Sequence, residues 1–183
     1  MNKTKMQIQN KVLELMKTQD INTIKVKTIA DSLKISRSTF YLYYDSVFSV
    51  LQDIEDTFFD GLQDIANLFW SHPPNTCYLT QPHPVIYKAI THLYNHQEIS
   101  AVLWGPYGDK VFQHRCKKMI MHSFFPSHIF APSCSEEEYF IISFMVGGHL
   151  EMINRWLSEG CIYPIEDLVL LTYRLMFGNY KPQ

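Results

Sequence analysis

Arg37, Ser38, Thr39, Tyr41 and Leu42 crowd into one short stretch and supply a guanidinium, two hydroxyls, a phenol and an apolar tip. Those side-chain types read DNA in the major groove, where arginine bonds to guanine, hydroxyls bond to bases or phosphates, and apolar atoms meet thymine methyls. Lys25, Lys27, Thr28 and Lys34 lie just upstream, Ser36 opens the stretch and Tyr43 closes it, so the surroundings suit phosphate contact.

Two short helices are needed to hold that set outward. Ile29, Ala30 and Leu33 share one face of a helix at about 3.6 residues per turn, and that face must be buried. After Lys34-Ile35 the chain restarts at Ser36, whose hydroxyl can accept a hydrogen bond from a free backbone N–H and so begin a second helix. Along the helix that begins at Ser36, expected over Ser36–Tyr44, the spacing predicts Phe40, Tyr44 and, three residues further, Val47 pointing inward, with Ser38, Thr39, Tyr41 and Leu42 outward. Taken alone, Phe40 to Tyr44 also has the composition of a buried strand.

The segment Val26-x-x-Ile29-Ala30, Leu33, Ile35-Ser36-Arg37-Ser38-Thr39-Phe40-Tyr41-Leu42-Tyr43-Tyr44, followed by an apolar helix from Val47, resembles the DNA-binding domain of the TetR family of bacterial transcriptional regulators. The resemblance is sharp over residues 8 to 51. Three positions depart from the family pattern. Lys25 stands where a capping Thr or Ser is usual, and Lys34 replaces the turn glycine, at a cost of about 1–2 kcal/mol if its backbone is left-handed. Val47 replaces a lysine that contacts phosphate, which should flatten the salt dependence of DNA binding by roughly one unit of slope.

The charge distribution agrees with a basic head on an acidic body. Residues 1 to 45 carry eight Lys/Arg against four Asp/Glu, a balance of +4, so the other 138 residues carry −6 of the net −2. Only the head then has to meet phosphates. At 183 residues, with 46% hydrophobic and 19% charged residues, the chain can build a real core and is not generally disordered. The N-terminus lacks a secretory pattern, the longest apolar run is too short to cross a bilayer, and the four cysteines form no Cys-x-x-Cys pair; a cytoplasmic protein is expected.

Further along, a helix is expected from about Lys5 to Thr18, with Ile8, Val12, Leu15 and Met16 buried. A long helix from Val47 should run through Leu51, Ile54, Phe58, Ile65 and Phe69 until His72-Pro73-Pro74. Residues 71 to 84 read as an irregular connector. Helices then follow near Val85 to Gln97 and, after the breaker Gly105-Pro106-Tyr107-Gly108, along Val111, Phe112, Cys116, Met119 and Ile120 to about Pro126. A second irregular stretch to Cys134 precedes a capping box, Ser135 with Glu138, heading a helix to about Glu159. The last helix is expected from Ile165 to Phe177, stopping at Gly178.

The last two helices are too apolar for one buried stripe each. Phe144, Gly147, Gly148, Trp156, Leu168, Leu171 and Leu175 are the candidate subunit interface; ordinary core packing is the alternative. In TetR-like regulators the final two helices make a four-helix bundle across a twofold axis, and this C-terminal end resembles the Firmicutes-type C-terminal domain of that family. The resemblance also implies a small-molecule pocket in the aromatic middle of the body, with Tyr87, Trp104 and Phe112 as candidate lining. Neither His72, Cys77, His83 nor His114, Cys116, His122 has structural-zinc spacing, and no phosphate loop, dinucleotide fingerprint or nucleophile elbow is present. No cofactor, metal or enzymatic activity is expected.

These readings combine into an all-α, TetR-like protein: residues 1–46 a helix-turn-helix head, residues 47–183 a helical effector-binding and dimerisation body. The expected function is a homodimeric repressor on a palindromic operator, released by an effector. The competing reading is a ligand-sensing co-activator or partner protein with weak DNA contacts of its own.

Overall fold

The structure is a computed structural model and describes residues 2–125 and 135–178. The expected second irregular stretch, with Pro126 and Cys134, lies outside the described residues. Among the described residues there are nine α-helices and no strand: α1 Lys3–Met16, α2 Val26–Leu33, α3 Arg37–Tyr41, α4 Val47–Ala66, α5 Pro84–Asn95, α6 Gln97–Leu103, α7 Lys110–Phe124, α8 Glu136–Ser158 and α9 Ile165–Phe177.

Helix α1 buries Ile8, Val12, Leu13 and Met16 against α2, α4 and α6. Leu13 takes the buried place expected for Leu15, which is only half-buried. Helix α2 starts at Lys25 with no side-chain cap and ends at Lys34, whose φ of 55° and ψ of 40° are left-handed. The Ile35 amide then donates to the Ala30 carbonyl at 3.0 Å, which closes the helix end. At Ser36 the hydroxyl accepts from the Thr39 amide at 2.9 Å and starts α3.

Helix α3 is shorter than the expected Ser36–Tyr44. The Tyr43 and Tyr44 amides both fold back on the Phe40 carbonyl, and the chain must then extend so that Ser46, at φ −158° and ψ 172°, can cap α4. Ser46 and Ser49 form a reciprocal capping box there.

Helix α4 is the spine. Val47, Val50, Leu51 and Ile54 face the head, and Phe58, Phe59, Leu62 and Ala66 face the body. It stops at Ala66, before the prolines, because Phe69 leaves the helical stripe and sinks into a ring cluster with His83, Phe124 and Phe177. The connector is pinned to the last helix: Tyr173 Oη accepts from the Asn75 amide and donates to the Asn75 carbonyl, each at 2.8 Å. His83 is fully buried and caps α5, its Nδ1 accepting from the Val85 amide and its Nε2 donating to the His72 carbonyl at 2.7 Å. Burial is the main cause holding its pKa below the ordinary histidine value.

The expected helix to Gln97 breaks at His96 into α5 and α6. Val111 lies on the exposed side of α7, whereas Phe112, Cys116 and Met119 are buried. The Ser135–Glu138 capping box heads α8, and Gly160, at φ 79°, ends it. Helix α9 packs on α5 and α8. No helix among the described residues is long and apolar enough to cross a membrane.

Candidate nucleic-acid interface and ligand cavity

The outward face of the α2–turn–α3 unit carries Lys25, Lys27, Thr28, Lys34, Ser36, Arg37, Ser38 and Tyr41, all exposed. Thr39 and Tyr43 are half-buried at its edge. Ser36 Oγ lies 2.7 Å from Ser38 Oγ and 2.8 Å from Thr39 Oγ1. Ser36 is therefore engaged as the cap of α3, with the exposed Ser38 hydroxyl bonded to it, while Arg37 and Tyr41 are the side chains free to reach a groove. Phe40 is fully buried beneath them and stacks edge-on against Tyr41. Two apolar side chains extend this face: Leu42, 80% exposed, and Phe48, 54% exposed.

One carboxylate holds the unit onto α4. Asp53 Oδ2 accepts from Tyr44 Oη at 2.7 Å and Gln9 Nε2 at 2.8 Å, and pairs with Lys5 Nζ at 2.9 Å. Partial burial pushes the Asp53 carboxyl up. The bonds from Lys5 and Tyr44, the Lys5 charge and the bond from Gln9 outweigh that, and its pKa sits below the ordinary 3.8. Asp53 was not foreseen, since no spacing rule links residues 5, 9, 44 and 53 across three elements.

A cavity of about 120 Å³ opens in the body. Leu62, Ile65 and Ala66 of α4, Ala89 and Ile90 of α5, Trp104 at the end of α6, Cys116 and Met119 of α7, His149 and Ile153 of α8, and Thr172 and Met176 of α9 contribute to its wall. Burial pushes the Cys116 thiol up to about 12, so it enters the wall as neutral S–H. The His149 ring lies between the carbonyl oxygens of Met145, 2.6 Å, and Thr172, 3.1 Å, and ties α8 to α9. Of the expected lining residues only Trp104 reaches the cavity. Tyr87 lies outside it, donating to Glu166 at 3.2 Å, and Phe112 packs behind Trp104 with ring centroids 5.3 Å apart. Thr172 was missed, although a lone hydroxyl within Leu168-Val169-Leu170-Leu171-Thr172 was a readable signal.

The candidate subunit face divides. Phe144, 82% exposed, stands outward on α8 with Tyr139, Phe140 and Ile141, and Leu171 and Leu175 stand outward on α9. A Cβ added at Gly147 or Gly148 would meet nothing within 4 Å. Trp156 and Leu168 are corrected: they are 4% and 2% exposed, and Trp156 Nε1 donates to the Tyr163 carbonyl, so both belong to the subunit's own core. Among the described residues no group of three His, Cys, Asp or Glu side chains is placed to hold a metal.

Residues 80–178 match the profile of a TetR-type family described as a transcriptional regulator C-terminal region. An uncharacterised HTH-type transcriptional regulator of Bacillus subtilis, YxbF, is 29% identical over 97 residues, which are 53% of this chain and 25% of that protein. The alignment thus spans a quarter of the relative's length. No solved structure matches the chain.

Proposed function

We propose that this chain, which belongs to the TetR family of transcriptional regulators, binds double-stranded DNA through its head as a homodimer and represses transcription until a small molecule enters the body cavity. The observation that carries the reading is the face of α3: Arg37, Ser38 and Tyr41 turn outward while Phe40 and Tyr44 are buried and Tyr44 is fastened to α4. In the repressor reading a twofold axis sets two such faces in successive major grooves, about 34–36 Å apart, on a palindrome.

Helix α4 supplies the mechanism. Its N-terminal half carries Asp53 and the head, and its C-terminal half contributes Leu62, Ile65 and Ala66 to the cavity wall. A ligand that fits the wall better at one tilt of α4 shifts the population of head spacings by its difference in affinity for the two. Residues 1–46 act as reader and residues 47–183 as sensor and dimeriser, and the work is done in the cytoplasm, where the operator is.

A second reading, a ligand-sensing partner of another regulator, is favoured by one observation. Val47 is buried and Leu42 and Phe48 are exposed, so the rim of the head is apolar at a position where phosphate contact calls for a cation. Fluorescence anisotropy on the duplex upstream of the chain's own gene, titrated across salt, separates the two. Arg37→Ala and Tyr41→Ala are each expected to weaken binding by about tenfold, the value of one lost groove contact. Affinity unchanged by both at every salt concentration ends the DNA reading in favour of the partner.

A further inference from the structure

The wall of the body cavity contains no Lys, Arg, Asp or Glu, and the polar groups of its lining side chains are the His149 ring, the Trp104 indole N–H, the neutral Cys116 thiol and the Thr172 hydroxyl. An ionised ligand would be stripped of water with nothing of opposite charge to receive it. The His149 ring nitrogens face backbone carbonyls, Nδ1 that of Met145 at 2.6 Å and Nε2 that of Thr172 at 3.1 Å, rather than a ligand, and a neutral ring donates to one of them. Thr172 differs: its Oγ1 is buried and has no hydrogen-bond partner among the described residues. A buried hydroxyl left unpaired is costly, and a helical threonine ordinarily bonds to a carbonyl of the preceding turn. Size narrows the field further. An apolar cavity of roughly 150 Å³ in another protein stays dry and takes benzene, and this one measures about 120 Å³.

Resting on the effector reading of this cavity, we propose that its ligand is a single-ring or equally compact neutral hydrocarbon bearing one hydroxyl or carbonyl, which bonds to Thr172 Oγ1. The hydrocarbon part packs against Leu62, Ile90, Trp104 and Ile153, and the polar group fixes its orientation. Such a ligand touches α4 and α9 together.

The test uses three probes with the same ring, benzene, phenol and benzoate, on the full chain at pH 7. Binding is read by calorimetric titration and by the shift of the thermal midpoint. Benzene and phenol are expected to bind and raise the midpoint, and benzoate is not. Thr172→Val is expected to weaken phenol by about five- to tenfold, the worth of one neutral hydrogen bond, and to leave benzene unchanged. Ala89→Phe, or Ile153→Phe should the first variant misfold, fills the space and is expected to abolish binding of both. Benzoate binding as tightly as phenol, no binding of either neutral ring, or phenol affinity indifferent to Thr172→Val overturns the proposal. A parallel measurement on the DNA complex separates it from the reading it rests on. Phenol that binds without releasing DNA sinks effector release and leaves the ligand class standing. Release by a charged compound that competes with phenol does the reverse.

Discussion

Tyr44 Oη donates a 2.7 Å hydrogen bond to Asp53 Oδ2, and through it the end of the helix-turn-helix is fastened to the spine helix α4. Tyr44→Phe keeps the buried ring and removes only that bond. Hydrogen bonds to charged groups contribute about 1.5–3 kcal/mol, and because a third of the Asp53 side chain is exposed to solvent screening the loss should fall below that range, at about 1 kcal/mol. The sign with pH follows from the depressed Asp53 value. The contribution is complete above the unfolded carboxyl's 3.8 and disappears as pH falls through the lower folded value. Urea titrations of both proteins at pH 7 and at progressively lower pH check this. A difference that persists once Asp53 is protonated would mean that the bond to the carboxylate is not its source.

Lys34 sits in a left-handed conformation, φ 55° and ψ 40°, which glycine adopts without steric penalty. Lys34→Gly is expected to stabilise the fold by about 0.5–1 kcal/mol, a rise of the thermal midpoint of roughly 1–4 °C for a chain of this length. If the lysine also touches a phosphate, the same variant lowers the salt slope of DNA binding by about one. Calorimetry reads the first effect and anisotropy across salt reads the second. A lower midpoint would show that the lysine side chain makes up for the backbone cost.

The head was legible because its signals are local. Ser36 lies three residues before the amide it caps, Phe40 and Tyr44 lie one turn apart, and the Ile29-Ala30-Leu33 face needs only the helical period. The ends of α8 and α9 were legible for the same reason, as capping box and glycine lie beside them. What escaped is what several elements build together. Asp53 collects donors from α1 and from the turn after α3. His83 is a buried cap held by the connector rather than one of a loose group with Cys77. The excess of apolar residues on the last two helices was legible, but not that Trp156 and Leu168 turn inward while Phe144 and Leu175 stand exposed.

Glu55 is a nearly buried carboxyl on α4 whose Oε1 has no partner among the described residues. Burial first, then the negative charges of Asp109 and Asp56, raise its pKa to about 7, against the lowering effect of Arg115. The folded value lies above the unfolded 4.5, so the contribution of Glu55 to stability is complete below 4.5 and is lost as pH rises through about 7. Glu55→Gln removes the titration. The variant should match the parent near pH 4.5 and exceed it in thermal midpoint at pH 8. A gap that does not widen between those pH values means that the folded carboxyl ionises at its ordinary value.

Phe144 and Leu175 test the subunit face without disturbing the core. Both are exposed in the single chain, and exposed substitutions away from caps and glycines usually change stability by no more than about 0.5 kcal/mol. Placed in a dimer core, the same positions would each bury a large apolar side chain worth about 1.5–3 kcal/mol, and a glutamate there would be desolvated without a partner. Phe144→Glu and Leu175→Glu are therefore expected to give folded monomers by sedimentation, with DNA affinity falling because the two half-sites are no longer read together. Trp156→Ala makes the contrast. Its side chain fills the subunit's own interior, so it should cost about 3–5 kcal/mol of folding stability before any question of assembly arises. Glutamate variants that sediment as dimers would mean that copies of this chain meet through another surface, and that the apolar residues of α8 and α9 await a different partner.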